Sequence, residues 1–421
     1  METYIISAAA VLLLAKASWQ TVLAFLNRSY VKKCSHFPPE AVKQVMNEKT
    51  FSRSIAYTLD KNRMEVFSIW YGTIILGVLL FSGILPWLYH LYFEADNYTF
   101  ILSESLFLVS VYIVLSLTGL PLEYYSKFKL EEHYGFNKSS VGLWIKDNFK
   151  GLIIGLVIGV PLISLIIYLI FRLGDLWWIW GFALVVIFQL VMMVIYPMII
   201  LPWFNKLSPL PDGELKDRLM QLAERTGFKA RTIQIMDGSK RSGHSNAFFT
   251  GFGRFRRIVL FDTLVEQLNP QELEAVLAHE IGHYQKGHIP KMMVLSWAML
   301  LAGFALIAWL LNTPVFIQAF GFSPEQAGPA PVLLLFGLLT GLVAFWLSPG
   351  LSLISRKYEY ESDRFAAEHT GGQPLVMALR KLSEKNLANL TPHAVYSGFY
   401  YSHPTLIERE KALKQLFSTP D

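Results

Sequence analysis

Seven long apolar runs constrain this chain more than any other feature. They fall at about 3–25, 66–90, 100–122, 151–173, 177–203, 292–312 and 329–354. Each reaches the roughly 20 residues that a helix needs to cross a hydrocarbon core. The composition agrees. Of 421 residues, 53% are hydrophobic and only 16% are charged, against about 25% charged in an average soluble domain. The short loops between the runs argue against a soluble fold. The expected fold class is mainly α: a polytopic membrane protein with seven transmembrane helices.

The first run opens "METYII", with an acid and no basic stretch ahead of it. It reads as a retained membrane helix rather than a cleaved leader. The single cysteine, Cys34, has no partner for an intramolecular disulfide and gives no sign of an oxidising compartment.

The net charge of +5 is unevenly placed. Residues 26–63 carry Arg28, Lys32, Lys33, Lys43, Lys49, Arg53, Lys61 and Arg63. Residues 123–150 carry Lys127, Lys129, Lys138, Lys146 and Lys150. Residues 91–99 and 313–328 carry no Lys or Arg, and the turn near 174 has only Arg172 beside it. Basic loops stay in the cytosol. The N-terminus is therefore expected outside or in a lumen, and the C-terminus in the cytosol. The positive charge reports topology, and no nucleic-acid partner is expected.

Four segments follow. Residues 1–203 form a membrane unit of five helices. Residues 204–291 and 355–421 are polar enough to fold together outside the bilayer, on its cytosolic side. Residues 292–354 supply two more membrane helices. In the first polar segment, Asp212 is placed to cap a helix reaching about 226, where Gly227 ends it. "TIQIMD" and "RRIVLFD" alternate as strands do, with "NAFFTGFG" as a third between them. This predicts a small β-sheet. "NPQELEAVLAHEIGHYQKG" follows, with Asn269 as N-cap, Pro270 at the first helical position and Gly287 beyond the end.

That helix carries "HEIGH". His279 and His283 are four apart, so they share one helical face and both can point at one ion. Glu280 is rotated by one residue. It lies beside the ion rather than on it, free to take a proton from attacking water. This is the H-E-x-x-H pattern of zinc hydrolases. His288 lies past Gly287 and off the shared face, and reads as a surface or interfacial residue.

A catalytic zinc takes three protein ligands and keeps one position open. "RKYEYESDRFAAEH", residues 356–369, follows the last apolar run directly. Glu359 and Asp363 share one face of a helix there, and Glu361 and Glu368 share another. One glutamate completes a His, His, Glu set, with Asp363 holding an imidazole N–H. Spacing leaves Glu359 and Glu361 equal. The ordinary alternative is a solvated, charge-laced helix face.

Five motifs in order resemble the type I CAAX prenyl protease family, the multi-span gluzincin endopeptidases. They are "SIAYTLDKNRM", "NAFFTGF", "HEIGH", "EYESD" and "YSHPTLIERE". Ser362 stands where that family usually has alanine, a small-for-small change. The resemblance implies one zinc ion per chain, with Glu359 as third ligand and Asp363 its partner behind the imidazole. It places Asn246 and His403 around the substrate carbonyl, where an amide and an imidazole can donate to a developing oxyanion. It also implies a C-terminal CaaX peptide substrate, cleaved after a prenylated cysteine. The strand through Ala247, Phe248 and Phe249 could pair with an extended peptide. The family is known for a water-filled chamber, which intramembrane Lys16 and Glu104 would suit. Membrane lipids are the other expected partner.

Simpler roles exist for some of these residues. Asn246 could serve a turn, Ser402–Pro404 could cap a helix starting near Thr405, and Glu104 could sit near the headgroups. An HtpX-type quality-control protease is a rival within the class, but it has fewer spans. A metal transporter or a non-catalytic zinc-binding scaffold is the rival outside it. A transporter would hold its ligands within the spans, and a dead protease would have lost Glu280.

Overall fold

The structure is a computed structural model describing residues 1–93, 100–228, 232–250 and 257–417. Seven helices in it are long and apolar enough to cross a membrane: Glu2–His36, Glu48–Phe81, Phe100–Glu131, Val141–Arg172, Gly174–Phe204, His288–Leu311 and Ala330–Thr370. The chain is a multi-pass integral membrane protein. Large apolar side chains along these helices, among them Ile74, Val157, Ile187 and Trp309, stay exposed. Such surface suits acyl chains, which are as apolar as the side chains themselves.

The helices outrun the apolar runs that announce them. The basic stretch 26–63 is mostly helix, because the first helix continues to His36 and the second starts at Glu48. Asn47 caps that start by accepting from Thr50 N at 2.9 Å. The run expected at 66–90 is not one helix. It stops at Phe81, Gly83 turns with φ +80, and a separate helix covers Ile84–Phe93. Glycine makes that left-handed turn without the Cβ clash other residues meet.

Outside the bundle lies a mixed sheet with strand order β1 (Leu207–Pro209), β2 (Thr232–Met236), β4 (Arg257–Phe261), β3 (Ala247–Thr250). β2 and β4 run parallel and the outer pairs antiparallel. β3 is thus an edge strand; the part of "NAFFTGF" beyond Thr250 lies outside the described residues. Ile233, Ile258 and Leu260 of the sheet share one buried core with Leu219, Leu222, Leu273, Leu277 and Ile281. The helix Glu214–Arg225 is capped by Gly213, not by Asp212. Gly213 takes φ +147, a conformation that favours glycine, while Asp212 pairs with Lys216 at 2.5 Å.

Two helices place the site. The motif helix is Pro270–Gln285, and the acidic helix is Ser348–Thr370. The first has a full capping box: Asn269 accepts from Glu272 N, and Glu272 accepts from Asn269 N. Gly287 follows its end at φ +67. The helices touch where both side chains are small. An alanine Cβ at Gly282 would lie 3.0 Å from Ser362 Cα and 3.2 Å from Phe365 Cβ. Ser362 is fully buried there.

Of the two intramembrane charges, Glu104 departs from the headgroup placement that is the simpler alternative. Glu104 does not sit at a surface. It is fully buried in an aromatic cluster with Tyr89, Phe107 and Phe322. Its Oε2 accepts from Ala330 N at 2.6 Å, and Tyr89 OH bonds its other oxygen. A carboxylate at that N-terminus satisfies a helix donor and meets the positive end of the dipole. Lys16 donates to Gly341 O at 3.1 Å.

Candidate active site

The contact at Gly282 and Ser362 brings the motif histidines onto Glu359. His279 Nε2 and His283 Nε2 lie 3.3 Å apart. His279 Nε2 is 3.4 Å from Glu359 Oε2, and His283 Nε2 is 3.2 Å from Glu359 Oε1. One ligand atom from each residue fits within 4.8 Å of the other two. Glu361 faces away from the cluster, toward His288. The pairing that spacing left open therefore falls to Glu359, because the rotation of one helix against the other decides it.

These distances suit a small divalent cation. A tetrahedron with bonds of about 2.0–2.1 Å has edges of about 3.3–3.4 Å, close to the separations of the donor atoms. Glu359 Oε2 is buried, and among the described residues no donor is aligned to give it a hydrogen bond, although His403 Nδ1 stands 2.7 Å away. Two ring nitrogens and a carboxylate oxygen turned on one point make sense with an ion between them.

Behind His279, Asp363 Oδ1 lies 2.8 Å from Nδ1. Asp363 is itself gripped by Arg409, whose Nε donates to Oδ2 at 2.8 Å and whose second nitrogen donates to Oδ1 at 2.5 Å. Burial and the nearby Arg409 work against a charged His279. The carboxylates of Asp363 and Glu359 beside its ring outweigh them and raise its pKa to about 9. Glu280 is half-buried beside this cluster, and no hydrogen bond or ion pair to it is found among the described residues. It makes no hydrogen bond of its own among these residues but lies within the field of Arg409, and a carboxylate not tied up by a donor is placed to accept a proton.

His403 reaches the site, with its side chain 65% exposed. It does not cap the last helix. Thr405 does that, in a reciprocal pair with Glu408. Asn246 is exposed at the start of β3. Its Oδ1 accepts from Ala247 N at 2.9 Å, and its own carbonyl accepts from Phe261 N at 3.0 Å. No contact brings Asn246 to the histidines among the described residues. The amide donors that an oxyanion would need stay outside the Ala247 bond. Ala247, Phe248 and Phe249 follow it on the sheet edge.

Two residues escaped the sequence. His288 is buried, not superficial, and lies behind His283. Gly287 turns the chain so sharply that the next helix starts with His288 folded back on the motif helix. Arg409 also went unnoticed, though a signal exists. Leu406, Arg409, Glu410 and Leu413 recur at the spacing of one helical face, and all four are buried. A cation on an apolar stripe calls for a buried partner. The "SIAYTLDKNRM" motif serves elsewhere: Tyr57 donates to Glu131 at 2.6 Å, and Asp60 accepts from Tyr134 at 2.7 Å. It ties the second membrane helix to the end of the third.

A multi-pass helical bundle that sets an H-E-x-x-H helix against a glutamate-bearing helix defines an integral-membrane metalloendopeptidase. Residues 27–206 match the family model of the CAAX prenyl protease N-terminal region with five membrane helices, and 209–417 match peptidase family M48. CAAX prenyl protease 1 of Saccharomyces cerevisiae is 37% identical over 95% of this chain and 93% of its own length. The human CAAX prenyl protease 1 homolog is 34% identical, covering 94% and 93%. The chain belongs to this family, the CAAX prenyl proteases of peptidase family M48. The crystal structure of S. mikatae Ste24p superposes with a TM-score of 0.88 at 34% identity, over 96% of this chain and 97% of that one.

Proposed function

We propose that this chain is a zinc endopeptidase that removes the last residues of CaaX peptides after a prenylated cysteine. The donor cluster of His279, His283 and Glu359 carries this reading. Two imidazoles and one carboxylate at tetrahedral spacing favour zinc, one ion per chain. Bound zinc supplies a Lewis acid that acidifies water and polarises the scissile carbonyl.

The remaining work belongs to the protein. Glu280 takes the proton of the attacking water and returns it to the leaving amine. Asp363 and Arg409 hold His279 in one tautomer. His403, whose side chain is 65% exposed, donates to the oxyanion, with the free carboxamide N–H of Asn246 as its partner. The free edge of β3, from Ala247 to Phe249, accepts the substrate as an added antiparallel strand.

The distribution of Lys and Arg supports an outside or lumenal N-terminus and a cytosolic C-terminus. The protease unit, built from 204–291 and 355–421, then works at the cytosolic face. The exposed apolar helices make lipids its surroundings.

The test compares a farnesylated CaaX peptide with the same peptide unprenylated, using purified protein. Faster cleavage of the lipidated peptide, lost on chelation, supports the reading. Equal cleavage of both would leave a membrane zinc peptidase without prenyl specificity.

A further inference from the structure

Both nitrogens of the His283 ring are engaged. Nε2 faces His279 and Glu359, while Nδ1 lies 3.1 Å from His288 Nδ1. His288 is 2% exposed. Its ring lies flat on Tyr358, with centroids 4.1 Å apart and planes 9° apart. Its Nε2 is 2.9 Å from Glu361 Oε2.

We infer that His288 and Glu361 are positioning residues for the metal centre. They fix the tautomer and rotation of His283 and thereby set the affinity of the site for zinc. The inference rests on the zinc reading above. It adds a role for two residues that are not themselves ligands.

Proton counting makes the case. An ionised carboxylate only accepts hydrogen bonds. His288 must therefore carry its proton on Nε2, toward Glu361. A neutral imidazole has one N–H, so His288 Nδ1 is a bare acceptor. A 3.1 Å contact between two ring nitrogens needs one donor, and that donor is His283 Nδ1. His283 Nε2 is then left with its lone pair turned to the site, the form that binds a metal. One carboxylate thus sets proton positions on two rings. The other ligand is backed similarly, since Asp363 meets His279 Nδ1 directly at 2.8 Å. His283 gets the same support through a relay, because its Nδ1 points past the end of the motif helix to the first residue of the next membrane helix.

A purely structural role for His288 would lie in its stacking on Tyr358, and substitutions separate the two. His288→Phe keeps an aromatic ring on Tyr358 and removes the acceptor. His288→Asn loses the ring, but its Oδ1 stands about where Nδ1 did and accepts. Glu361→Ala leaves both rings and frees the His288 tautomer. Each full-length variant is titrated with zinc against a competing chelator and with cobalt(II) by its visible spectrum. Unfolding of the zinc-free protein is followed alongside.

His288→Phe and Glu361→Ala should weaken zinc binding about 10–100-fold and alter the cobalt spectrum, with zinc-free unfolding unchanged. His288→Asn should recover most of the affinity. Wild-type affinity in both His288→Phe and Glu361→Ala would overturn the inference. So would an Asn variant as weak as Phe with zinc-free unfolding lowered in step, which would make the role packing alone. Wild-type protein that binds no zinc would overturn the zinc reading as well, so the two failures are distinguishable.

Discussion

Gly282 stands so close to the acidic helix that a single methyl group there would lie 3.0 Å from Ser362 Cα. The atom it meets is backbone, which cannot swing aside. This contact sets the distance from the motif histidines to Glu359. Gly282→Ala should therefore cost about 1–3 kcal/mol of stability through overpacking. It should also weaken metal binding, since the ligands on the two helices move apart together. Thermal unfolding and zinc titration of the variant check both effects.

Ser362 gives the opposite expectation. Its hydroxyl is buried and has no hydrogen-bond partner among the described residues. Removing it eliminates an unsatisfied group and leaves the small volume that the contact needs. Ser362→Ala should keep activity and leave stability unchanged or raise it by about 1 kcal/mol. Ser362→Leu should abolish both zinc binding and cleavage. A destabilised alanine variant would show that the hydroxyl has a partner in solution.

Arg409 and Asp363 form a buried pair, with side chains 10% and 3% exposed. Removing the cation alone leaves Asp363 charged in a closed site. Arg409→Leu should cost about 3–5 kcal/mol. The double variant Arg409→Leu, Asp363→Asn should be less destabilised than the sum of the single variants, because Asp363 no longer leaves a bare charge, although Glu359, 3.7 Å from Arg409, still loses its cation. Its activity should stay low, since His279 has lost the carboxylate that orients it. Denaturation of the four proteins in one cycle measures the coupling.

Local signals made most helices legible and capped the motif helix correctly, but they misplaced the cap of Glu214–Arg225 and merged two helices across Gly83. Asn269, Pro270 and Gly287 bracket the motif helix in sequence as they do in space. The acidic helix shows the boundary of such reading. Periodicity separates the Glu359 face from the Glu361 face, but it does not say which face meets the histidines. That depends on the Gly282–Ser362 contact, 80 residues apart in the chain. Helical periodicity does not carry across Gly287, where the chain turns, so His288 lies behind His283 rather than off its face. Arg409 was readable from the apolar stripe of its own helix, but its partner was not. β1 was missed because three residues give too little alternation to see.

His244 links distant segments. Its Nε2 is 3.3 Å from Glu131, its Nδ1 is 2.9 Å from Asn386, and its ring stacks on Phe136. The hydrogen bond to Glu131 raises its pKa above 6.5 against the opposing effects of burial and Lys61. A raised folded pKa means that the stabilisation is complete below the unfolded value near 6.5 and fades as pH rises through the folded value. The side chain is 39% exposed, so screening keeps the effect below about 1 kcal/mol. The stability gap between wild type and His244→Phe should be wider at pH 5.5 than at pH 8.5. Thermal unfolding at both values tests the sign.

The decisive measurement is made on Glu280→Gln, with zinc content and peptide cleavage determined on the same preparation. Glu280 is read as the proton acceptor and not as a ligand. One zinc per chain should remain, and turnover should fall by a factor of about 10²–10⁴. His283→Ala, run beside it, should lose both zinc and cleavage. A Glu280→Gln protein that keeps zinc and cleaves at the wild-type rate would contradict the assignment of the base, and with it the proposed chemistry of the site.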